Sequence, residues 1–435
     1  MNAKVIEKRD GRGVPTMRRP PERPKRNRPR GTLLCALDVG TTKVCCFVAR
    51  VEDEGAKIIG IGHQLARGVK CGTIVDLETA GASIVSAVEA AEEMAGERVD
   101  EVAASLSGGF FASRIARAGI VVAGREVSDL DVSRVLDEGY RFKGPGDREV
   151  VHSVPVGFSL DDNRGIRDPR GMFGERLGVN MHVISASAAA VRNLSAAVGR
   201  AHLELGALAV SPYAAGLSSL VEDEITLGAT VIDMGGGTTS LGVFLDGNLI
   251  FADTVPVGGT HVTNDIARGL STPIAHAERL KALFGSAISA STDEHEMIGV
   301  PAIGEEEQGP VTQVPKSLLV GIIAPRIEET FELVRDSLEA NGFDKFASRR
   351  LVLTGGACQL QGVRELAALI LDKQVRIGRP SKIEGLAEAT AGPAFSAAAG
   401  LLNFALSERA EPSRSYRRAP LGMFERVKEW LRENF

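Results

Sequence analysis

The sequence lacks the residue spacings that mark several common kinds of site. Its five cysteines contain no C-x-x-C pair, and its seven histidines show no H-x-x-x-H or other ligand spacing, so a zinc site is not expected. Cys35, Cys45 and Cys46 lie in apolar strand context, where we expect buried thiols, as in a reducing, cytoplasmic environment. No stretch approaches the ~18–20 apolar residues of a membrane-spanning helix, and residues 1–31 contain no apolar run of a secretory signal.

Charge is unevenly distributed along a chain of ordinary composition. The 435 residues, 25% of them charged, have a net charge of −5, which fits a soluble protein of two to four domains. Residues 1–31 alone carry eleven Lys or Arg and three acidic residues, a net charge of +8, together with five prolines. This composition predicts disorder. The segment is either a solvated tail or one attracted to anionic lipid, nucleic acid or an acidic partner.

Two glycine- and threonine-rich segments, 195 positions apart, have nearly the same sequence. They are Asp38-Val39-Gly40-Thr41-Thr42-Lys43 and Asp233-Met234-Gly235-Gly236-Gly237-Thr238-Thr239-Ser240, and each follows an apolar run. Neither fits a P-loop or a dinucleotide-binding turn, because each is followed by β-branched and apolar residues that favour a strand rather than a helix. Each segment therefore predicts a buried strand ending near Asp, a tight turn, and a second strand at Val44–Val51 or Leu241–Leu245.

These turns have the chemistry of a phosphate site. Glycines leave the backbone N–H groups of a turn exposed, and threonines add hydroxyl donors. Together these donors line a concave surface that suits phosphate. An Asp at each strand end supplies a hard oxygen ligand for a divalent cation, directly or through water. Because the unit occurs twice, we expect a duplicated structure that clamps a nucleotide from both sides.

The rest of the chain alternates between helical and strand patterns. Phe110–Met181 reads as a small inserted α+β module without a phosphate-like turn. Apolar periodicity predicts helices over Ala188–Leu205, over Leu318–Leu338 with an interruption near Pro325, and over Ala387–Leu406.

Two further motifs occur in the second half of the chain. Ala277-Glu278-Arg279-Leu280-Lys281 lies on a predicted helix, where Glu278 and Lys281 share a face; such a pair is most often a surface ion pair. Thr354-Gly355-Gly356-Ala357 follows an apolar strand and forms a third glycine turn, which lets the backbone approach a planar ligand such as adenine.

The last predicted helix, over 420–435, is amphipathic and follows a polar, basic stretch. Its apolar residues share an arc of about 140° on a helical wheel. They are Met423, Phe424, Val427, Trp430, Leu431 and Phe435. The helix could dock on the globular body, but its cationic flanks and the preceding linker favour an interfacial membrane helix. One such helix is a weak, reversible anchor.

Taken together, the two Gly-Thr units, the third glycine turn and the Glu278–Lys281 pair resemble the actin/Hsp70/sugar-kinase ATPase superfamily. Within it, the resemblance to the FtsA family of bacterial cell-division proteins is close and covers nearly the whole chain. Ser107-Gly108-Gly109, His182-Val183-Ile184, Gln374-Val375-Arg376-Ile377-Gly378 and the terminal helix follow the family's order. The basic segment before Leu33 departs from the common pattern.

The resemblance implies an α/β, actin-like ATPase fold with two lobes flanking a nucleotide cleft. The expected division is a disordered basic tail (1–31), a first lobe (32–108, 182–206 and 385–406), an inserted α+β subdomain (109–181), a second lobe (207–252 and 329–384), a small subdomain (253–328), a linker (407–419) and an amphipathic membrane-targeting helix (420–435).

The resemblance also implies a site and partners. ATP and Mg²⁺ are the expected ligands: Gly40, Thr41, Thr42, Lys43, Gly235, Gly236, Gly237 and Thr238 for phosphate, Asp38 and Asp233 for Mg²⁺, Glu278 and Lys281 for ribose or adenine, and Gly355, Gly356 and Ala357 for the adenine pocket. Expected partners are other copies of the chain in a polymer, lipids of the cytoplasmic membrane at the septum, other divisome proteins, and the C-terminal tail of FtsZ near Arg326; no specific nucleic acid is expected.

Two other functions are available to the same fold. A small-molecule kinase needs a substrate base, usually an Asp aligned with the γ-phosphate, and the sequence offers no clear candidate. A chaperone-like ATPase needs a large C-terminal peptide-binding domain, for which this chain has no counterpart. We identify no residue that positions an attacking water, so any ATPase activity is expected to be slow.

Overall fold

The computed structural model describes residues 29–53, 55–304, 311–346, 349–381 and 383–407. Most of the basic tail, nearly all of the linker and the whole amphipathic helix predicted over 420–435 lie outside these residues. The strands are β1 (Leu33–Val39), β2 (Lys43–Glu52), β3 (Gly55–Leu65), β4 (Val69–Lys70), β5 (Thr73–Ile74), β6 (Glu101–Leu106), β7 (Ala112–Val121), β8 (Arg148–Leu160), β9 (Asn163–Ile166), β10 (Arg176–Ser187), β11 (Glu204–Val210), β12 (Ala229–Met234), β13 (Thr239–Leu245), β14 (Asn248–Val255), β15 (Met297–Pro301), β16 (Val311–Pro315), β17 (Arg350–Thr354) and β18 (Gln374–Ile377).

The helices fill the connections between these strands. They are α1 (Leu77–Ala95), α2 (Asp129–Tyr140), α3 (Ala188–Arg200), α4 (Ser211–Ser219), α5 (Glu222–Leu227), α6 (Gly259–Gly269), α7 (Ile274–Phe284), α8 (Lys316–Ala340), α9 (Phe343–Phe346), α10 (Val363–Leu371) and α11 (Ser396–Ser407). None of the helices within the described ranges is long and apolar enough to cross a bilayer.

Two five-stranded sheets with the same topology form the centre of the molecule. In the first lobe the order is β3-β2-β1-β6-β11, and in the second it is β14-β13-β12-β17-β18. In each sheet the first three strands are antiparallel, and the remaining two run parallel to the central strand. The predicted strand–turn–strand units are therefore confirmed as β1–β2 and β12–β13, and the duplication extends to whole sheets.

The apolar core of the first lobe continues through α4 into one face of the second sheet, and the other face of that sheet packs in a separate core. In the first lobe, α1 and α3 pack on one face of the sheet, and α11 packs on the other against buried residues such as Ala36 and Phe47. In the second lobe, α8 and α10 pack on the sheet, and Phe331 of α8 is fully buried. The chain passes from the first lobe to the second through α4, between β11 and β12.

The inserted module consists of a four-stranded sheet with one helix packed on it. Its strand order is β7-β10-β8-β9, and α2 packs on one face with Val135 fully buried. Ser128 caps α2 by accepting from the Asp131 N–H, and the Asp131 carboxylate accepts in return from the Ser128 N–H. The predicted α+β character is confirmed, although β10 runs on to Ser187 and so crosses the boundary expected after residue 181.

Three helix predictions differ from the structure in extent. The helix predicted to break near Pro325 is continuous as α8, because packing of its buried face outweighs the hydrogen bond that proline removes. The helix expected over 188–205 ends at Arg200, and β11 begins at Glu204. The stretch 387–406 is helical only from Ser396, after short 3₁₀ turns and Pro393.

The contact between α4 and α11 yields a test of this packing. A Cβ atom at Gly400 of α11 would lie 1.6 Å from the carbonyl oxygen of Ala214, whereas one at Gly321 of α8 would meet no atom within 4 Å. We expect Gly400→Ala to lower the free energy of unfolding by about 1–3 kcal/mol through overpacking. Gly321→Ala should raise it by about 0.5–1 kcal/mol through helix propensity. Denaturant unfolding measures both, and equal effects would contradict the packing.

Candidate functional site

A cavity of about 530 Å³ lies between the two lobes, where β1 and β12 end. Its wall brings together all fifteen residues that the sequence assigned to nucleotide binding: Asp38, Gly40, Thr41, Thr42, Lys43, Asp233, Gly235, Gly236, Gly237, Thr238, Glu278, Lys281, Gly355, Gly356 and Ala357. Residues from both halves of the chain thus face one space.

The first glycine-threonine loop closes the hairpin between β1 and β2. The Gly40 N–H donates to the carbonyl oxygen of Lys43 at 2.9 Å, which tightens the turn. The Thr41 hydroxyl accepts a hydrogen bond from the Gly72 N–H at 2.9 Å, so the segment before β5 holds the loop in place. Thr42, at the tip of the loop, is exposed towards the cavity.

The second loop repeats this construction in the other lobe. The Gly235 N–H donates to the carbonyl oxygen of Thr238 at 2.8 Å. The first turn of α6 packs directly on the loop, since the Thr260 N–H donates to the Gly236 carbonyl oxygen at 2.7 Å. The amino-terminal end of α6, with its partial positive charge, thereby becomes part of the cavity wall.

The two loops approach each other so closely that only glycine fits in the second one. A Cβ atom at Gly237 would lie 2.4 Å from the Thr41 hydroxyl oxygen and 2.8 Å from the Cα atom of Cys71. A Cβ atom at Gly236 would lie 2.4 Å from a methyl carbon of Thr42. The glycines therefore allow backbone from one lobe to face hydroxyl groups from the other across a narrow gap.

The two aspartates carry negative charge into a poorly solvated place. Asp38 is buried and accepts a hydrogen bond from the Ser105 hydroxyl at 2.5 Å, while Asp233 is partly accessible from the cavity. Loss of hydration raises the pKa of Asp38, although the nearby Lys43 charge opposes the shift. Loss of hydration, and then the Asp38 charge, raise the pKa of Asp233 to about 7. Without a bound ligand, the positive charge of Lys43 does not fully offset the cost of burying these two carboxylates.

Lys43 places a positive charge near the two aspartates in the cavity wall. Its ammonium group donates to the carbonyl oxygen of Ala394 and lies 3.5 Å from the centre of the Phe395 ring. Burial lowers the pKa of Lys43, and the Asp38 charge opposes that shift. The side chain thus joins the first loop to the turn that precedes α11, within reach of the same space as the two carboxylates.

A polar network lies in the cavity wall between α6 and α7, next to the second loop. The Lys281 ammonium group donates to Glu278 Oε2 at 2.7 Å, to the Thr263 hydroxyl at 2.8 Å and to the carbonyl oxygen of Gly259 at 3.1 Å. These hydrogen bonds connect the Glu278–Lys281 pair to the amino-terminal end of α6, so it is not the solvated surface pair that the sequence most often indicates.

The third glycine turn borders the second loop. Gly355 has a φ of +85°, and a Cβ atom there would lie 2.4 Å from the carbonyl oxygen of Met234, so this position favours glycine on two grounds. Its N–H donates to the carbonyl oxygen of Pro393 at 3.1 Å. The apolar part of the wall was not identified from the sequence; it consists of Val262, Leu283, Ile327 and Leu360. These residues come from four separate elements, and no local pattern distinguishes them from core residues.

The donor set fits a magnesium ion. Two carboxylates with raised pKa values face one cavity, and a divalent cation between or near them would balance the charge that the protein leaves uncompensated. Carboxylate oxygens and water are the ligands that Mg²⁺ takes. In the part of the chain that the structure describes, no cluster of three or more His, Cys, Asp or Glu side chains offers an all-protein metal site.

Arg326 lies on α8, away from the cavity wall. Its guanidinium group pairs with the Asp265 carboxylate at 2.5 Å and also with Glu329. The side chain is about one quarter exposed (28%), so its outer edge remains accessible.

Comparisons with known proteins agree with one another. The family described as "Cell division protein FtsA" matches residues 230–400, and the "SHS2 domain inserted in FTSA" matches residues 108–185. Cell division protein FtsA of Rhizobium meliloti is 45% identical over 424 residues, which covers 93% of this chain and 96% of that protein. The FtsA of Escherichia coli is 31% identical over 415 residues, covering 93% and 98%.

Solved structures resemble the fold at low sequence identity. The PilM–PilN type IV pilus biogenesis complex aligns with a TM-score of 0.60 at 17% identity, covering 86% of this chain and 99% of that chain. MreB5 of Spiroplasma citri bound to ADP aligns with a TM-score of 0.51 at 14% identity, covering 88% and 98%. Together with the paired sheets, these similarities confirm the actin-like α/β fold.

The raised pKa of Asp233 yields a prediction about stability. Folding raises this pKa from 3.8 to about 7, so the carboxyl group contributes most to stability below about pH 4, and that contribution is lost as the pH rises to about 7. We therefore expect Asp233→Asn to raise the melting temperature of the ligand-free protein by a few degrees at pH 8, and by much less at pH 5. Asp162→Asn, on an exposed turn, serves as the control. An equal shift at both pH values would contradict the charge argument.

Proposed function

The chain belongs to the FtsA family of cell-division proteins, and from this membership we propose that it binds ATP with Mg²⁺, polymerises, and anchors FtsZ filaments to the cytoplasmic membrane at the septum. The observation that carries the nucleotide part is the single cavity to which both glycine-threonine loops and the third glycine turn contribute. Anchoring and polymerisation rest on the family and on the amphipathic segment 420–435, outside the described residues.

The chemistry of the cavity supports a nucleotide that lies between the two lobes. Phosphate groups would lie at the two loops, where Thr41, Thr42, Thr238 and Lys43 supply donors and charge. The apolar wall and the third glycine turn suit a planar base, and the Glu278–Lys281 pair suits ribose or adenine hydroxyl and amino groups. Mg²⁺ held by Asp38 and Asp233, directly or through water, would neutralise phosphate charge. ATP hydrolysis, where it occurs, is proposed to be slow.

Polymerisation explains how a weak membrane helix becomes a useful anchor. One interfacial helix binds reversibly, because partial insertion and ordering offset much of the burial of its apolar residues. Subunits joined in a filament rebind at high effective concentration, so the filament stays on the membrane far longer than one subunit. A nucleotide that favours assembly would thereby regulate attachment.

FtsZ is proposed to bind through a short tail segment on the small subdomain 253–328. Arg326 is the residue that we assign to this contact, since its partly exposed guanidinium group lies on α8 beside Asp265. A tail segment laid in a surface groove is a recurrent mode of recognition. Recruitment of further divisome proteins follows from the family and is part of the same proposal.

The narrow gap between the two loops yields a test of nucleotide binding. A methyl group at Gly237 would collide with the backbone of Cys71, 2.8 Å away, and so would displace one loop. We expect Gly237→Ala to weaken binding of a fluorescent ATP analogue at least tenfold. Gly199→Ala on α3, where a Cβ atom meets nothing within 4 Å, should bind as the parent protein does. ATP affinity that is unchanged in Gly237→Ala would contradict the proposed site.

Co-sedimentation with liposomes and FtsZ, with and without ATP, tests the anchoring proposal. Deletion of 421–435, or Trp430→Glu, should leave the protein in the supernatant with liposomes while ATP binding survives. Arg326→Glu should still sediment with liposomes, but FtsZ should be missing from the pellet. Flotation with liposomes after the deletion would exclude the anchor assignment, and full FtsZ recruitment by Arg326→Glu would exclude the assigned contact.

A further inference from the structure

The inserted subdomain contacts both lobes through one face of its sheet. Side chains alternate along β10: Met181 and Val183 lie in the core with α2, while His182 and Ile184 point to the opposite face. By the register of the strands, Ser113 of β7 and His152 of β8 share that second face with His182. His152 and His182 are buried on this face, yet they present polar groups to the lobes.

His182 and Ser113 bind the edge strand of the second lobe. His182 Nδ1–H donates to the carbonyl oxygen of Leu249 at 2.8 Å, and the Ser113 hydroxyl donates to His182 Nε2 at 2.5 Å. The same hydroxyl oxygen accepts from the Ala252 N–H at 3.3 Å. Burial lowers the pKa of His182 to about 4, so the imidazole is neutral and both ring nitrogens are used. The Leu249 carbonyl, the His182 ring, the Ser113 hydroxyl and the Ala252 N–H thus form a continuous set of hydrogen bonds across the boundary between the subdomain and the second lobe.

A second buried histidine contacts the first lobe at the point where the chain leaves it. His152 Nε2 accepts from the Val210 N–H at 3.1 Å. Val210 is the last residue of β11 and directly precedes α4, through which the chain passes to the second lobe. His152 and His182 lie on neighbouring strands of the inserted sheet. The two histidines thus hold the edge strands of different lobes from one rigid support.

Hydrogen-bonded ladders connect both edge strands to the loops of the cavity. β14 pairs with β13, which begins immediately after the second glycine-threonine loop, and β11 is joined through β6 to β1, which ends at the first loop. Neighbouring strands of each sheet are joined by these hydrogen bonds, so a displacement of an edge strand is transmitted to the strands beside it. Rotation of one lobe away from the other must therefore break the contacts at His182 and Ser113 or carry the whole inserted subdomain with it.

We propose that the inserted subdomain is a clasp between the two lobes, held by Ser113, His182 and His152, that slows release of the nucleotide from the cavity. This inference rests on the nucleotide binding proposed above. It assigns a function to two buried histidines that are outside the cavity and contact no ligand. The clasp acts on lobe opening, so it affects the dissociation rate of the nucleotide and leaves the groups that touch the nucleotide unchanged.

Stopped-flow release of a fluorescent ATP analogue from the full chain tests the clasp. We expect Ser113→Ala and His182→Phe each to raise the dissociation rate about tenfold, which corresponds to about 1.4 kcal/mol. His182→Gln, which keeps a donor and an acceptor, should restore part of the slow release. Val135→Ala, buried against the other face of the same sheet, is the control for simple destabilisation and should release at the parent rate. Unchanged rates in Ser113→Ala and His182→Phe, or an equal rise in Val135→Ala, would overturn the proposal.

Hydrogen exchange of the ligand-free protein separates this inference from the proposed function. Ser113→Ala should speed amide exchange in 248–255, on the other lobe, because Ala252 loses its partner and β14 becomes an open edge. Val135→Ala should not. A parent protein that binds no ATP would refute the proposed nucleotide site. Unchanged exchange in 248–255 of Ser113→Ala would refute the clasp whether or not ATP binds.

Discussion

The close approach of the two glycine-threonine loops is the constraint on which the rest of the structure depends. With Thr41 and Thr42 on one side and Gly236 and Gly237 on the other, the gap admits no Cβ atom on the glycine side. Each loop is only a hairpin turn, and neither alone encloses a ligand. Their juxtaposition creates the cavity, and it requires that two lobes be held at one distance. The connection through α4 joins the lobes, and the inserted subdomain contacts both of them.

The charge arrangement follows from the same duplication. Repeating the unit places an aspartate at the end of each central strand, and facing the units brings Asp38 and Asp233 to one cavity with Lys43 between the lobes. Loss of hydration disfavours both ionised carboxylates, so the ligand-free protein keeps an unfavourable pair that a bound cation would relieve. A symmetric fold thus produces an electrostatic site that neither half contains. This is a physical reason to regard the cavity as built for a charged ligand.

Features that are local in sequence were predictable, and features that join distant elements were not. Strand–turn–strand units, the inserted α+β module and the third glycine turn follow from short-range patterns of glycine, β-branched residues and apolar alternation. The hydrogen bond from Ser105 to Asp38 and the apolar wall depend on residues brought together only by folding. Pro325 shows the opposite case, where a correct local rule is overridden by the packing of α8. Segments 1–28 and 408–435 stay predictions.

The inserted subdomain breaks the symmetry of the two lobes, and this determines what it can do. It grows from the first lobe between β6 and α3, yet its buried face also covers β14 of the second. An edge strand with free backbone groups favours pairing with other chains. Here side chains of Ser113 and His182 occupy those groups at Leu249 and Ala252, so edge protection and lobe contact are the same interaction. Any opening of the cavity that separates the second lobe from the inserted subdomain must therefore expose that edge, which links the state of the cavity to the outer surface of the molecule.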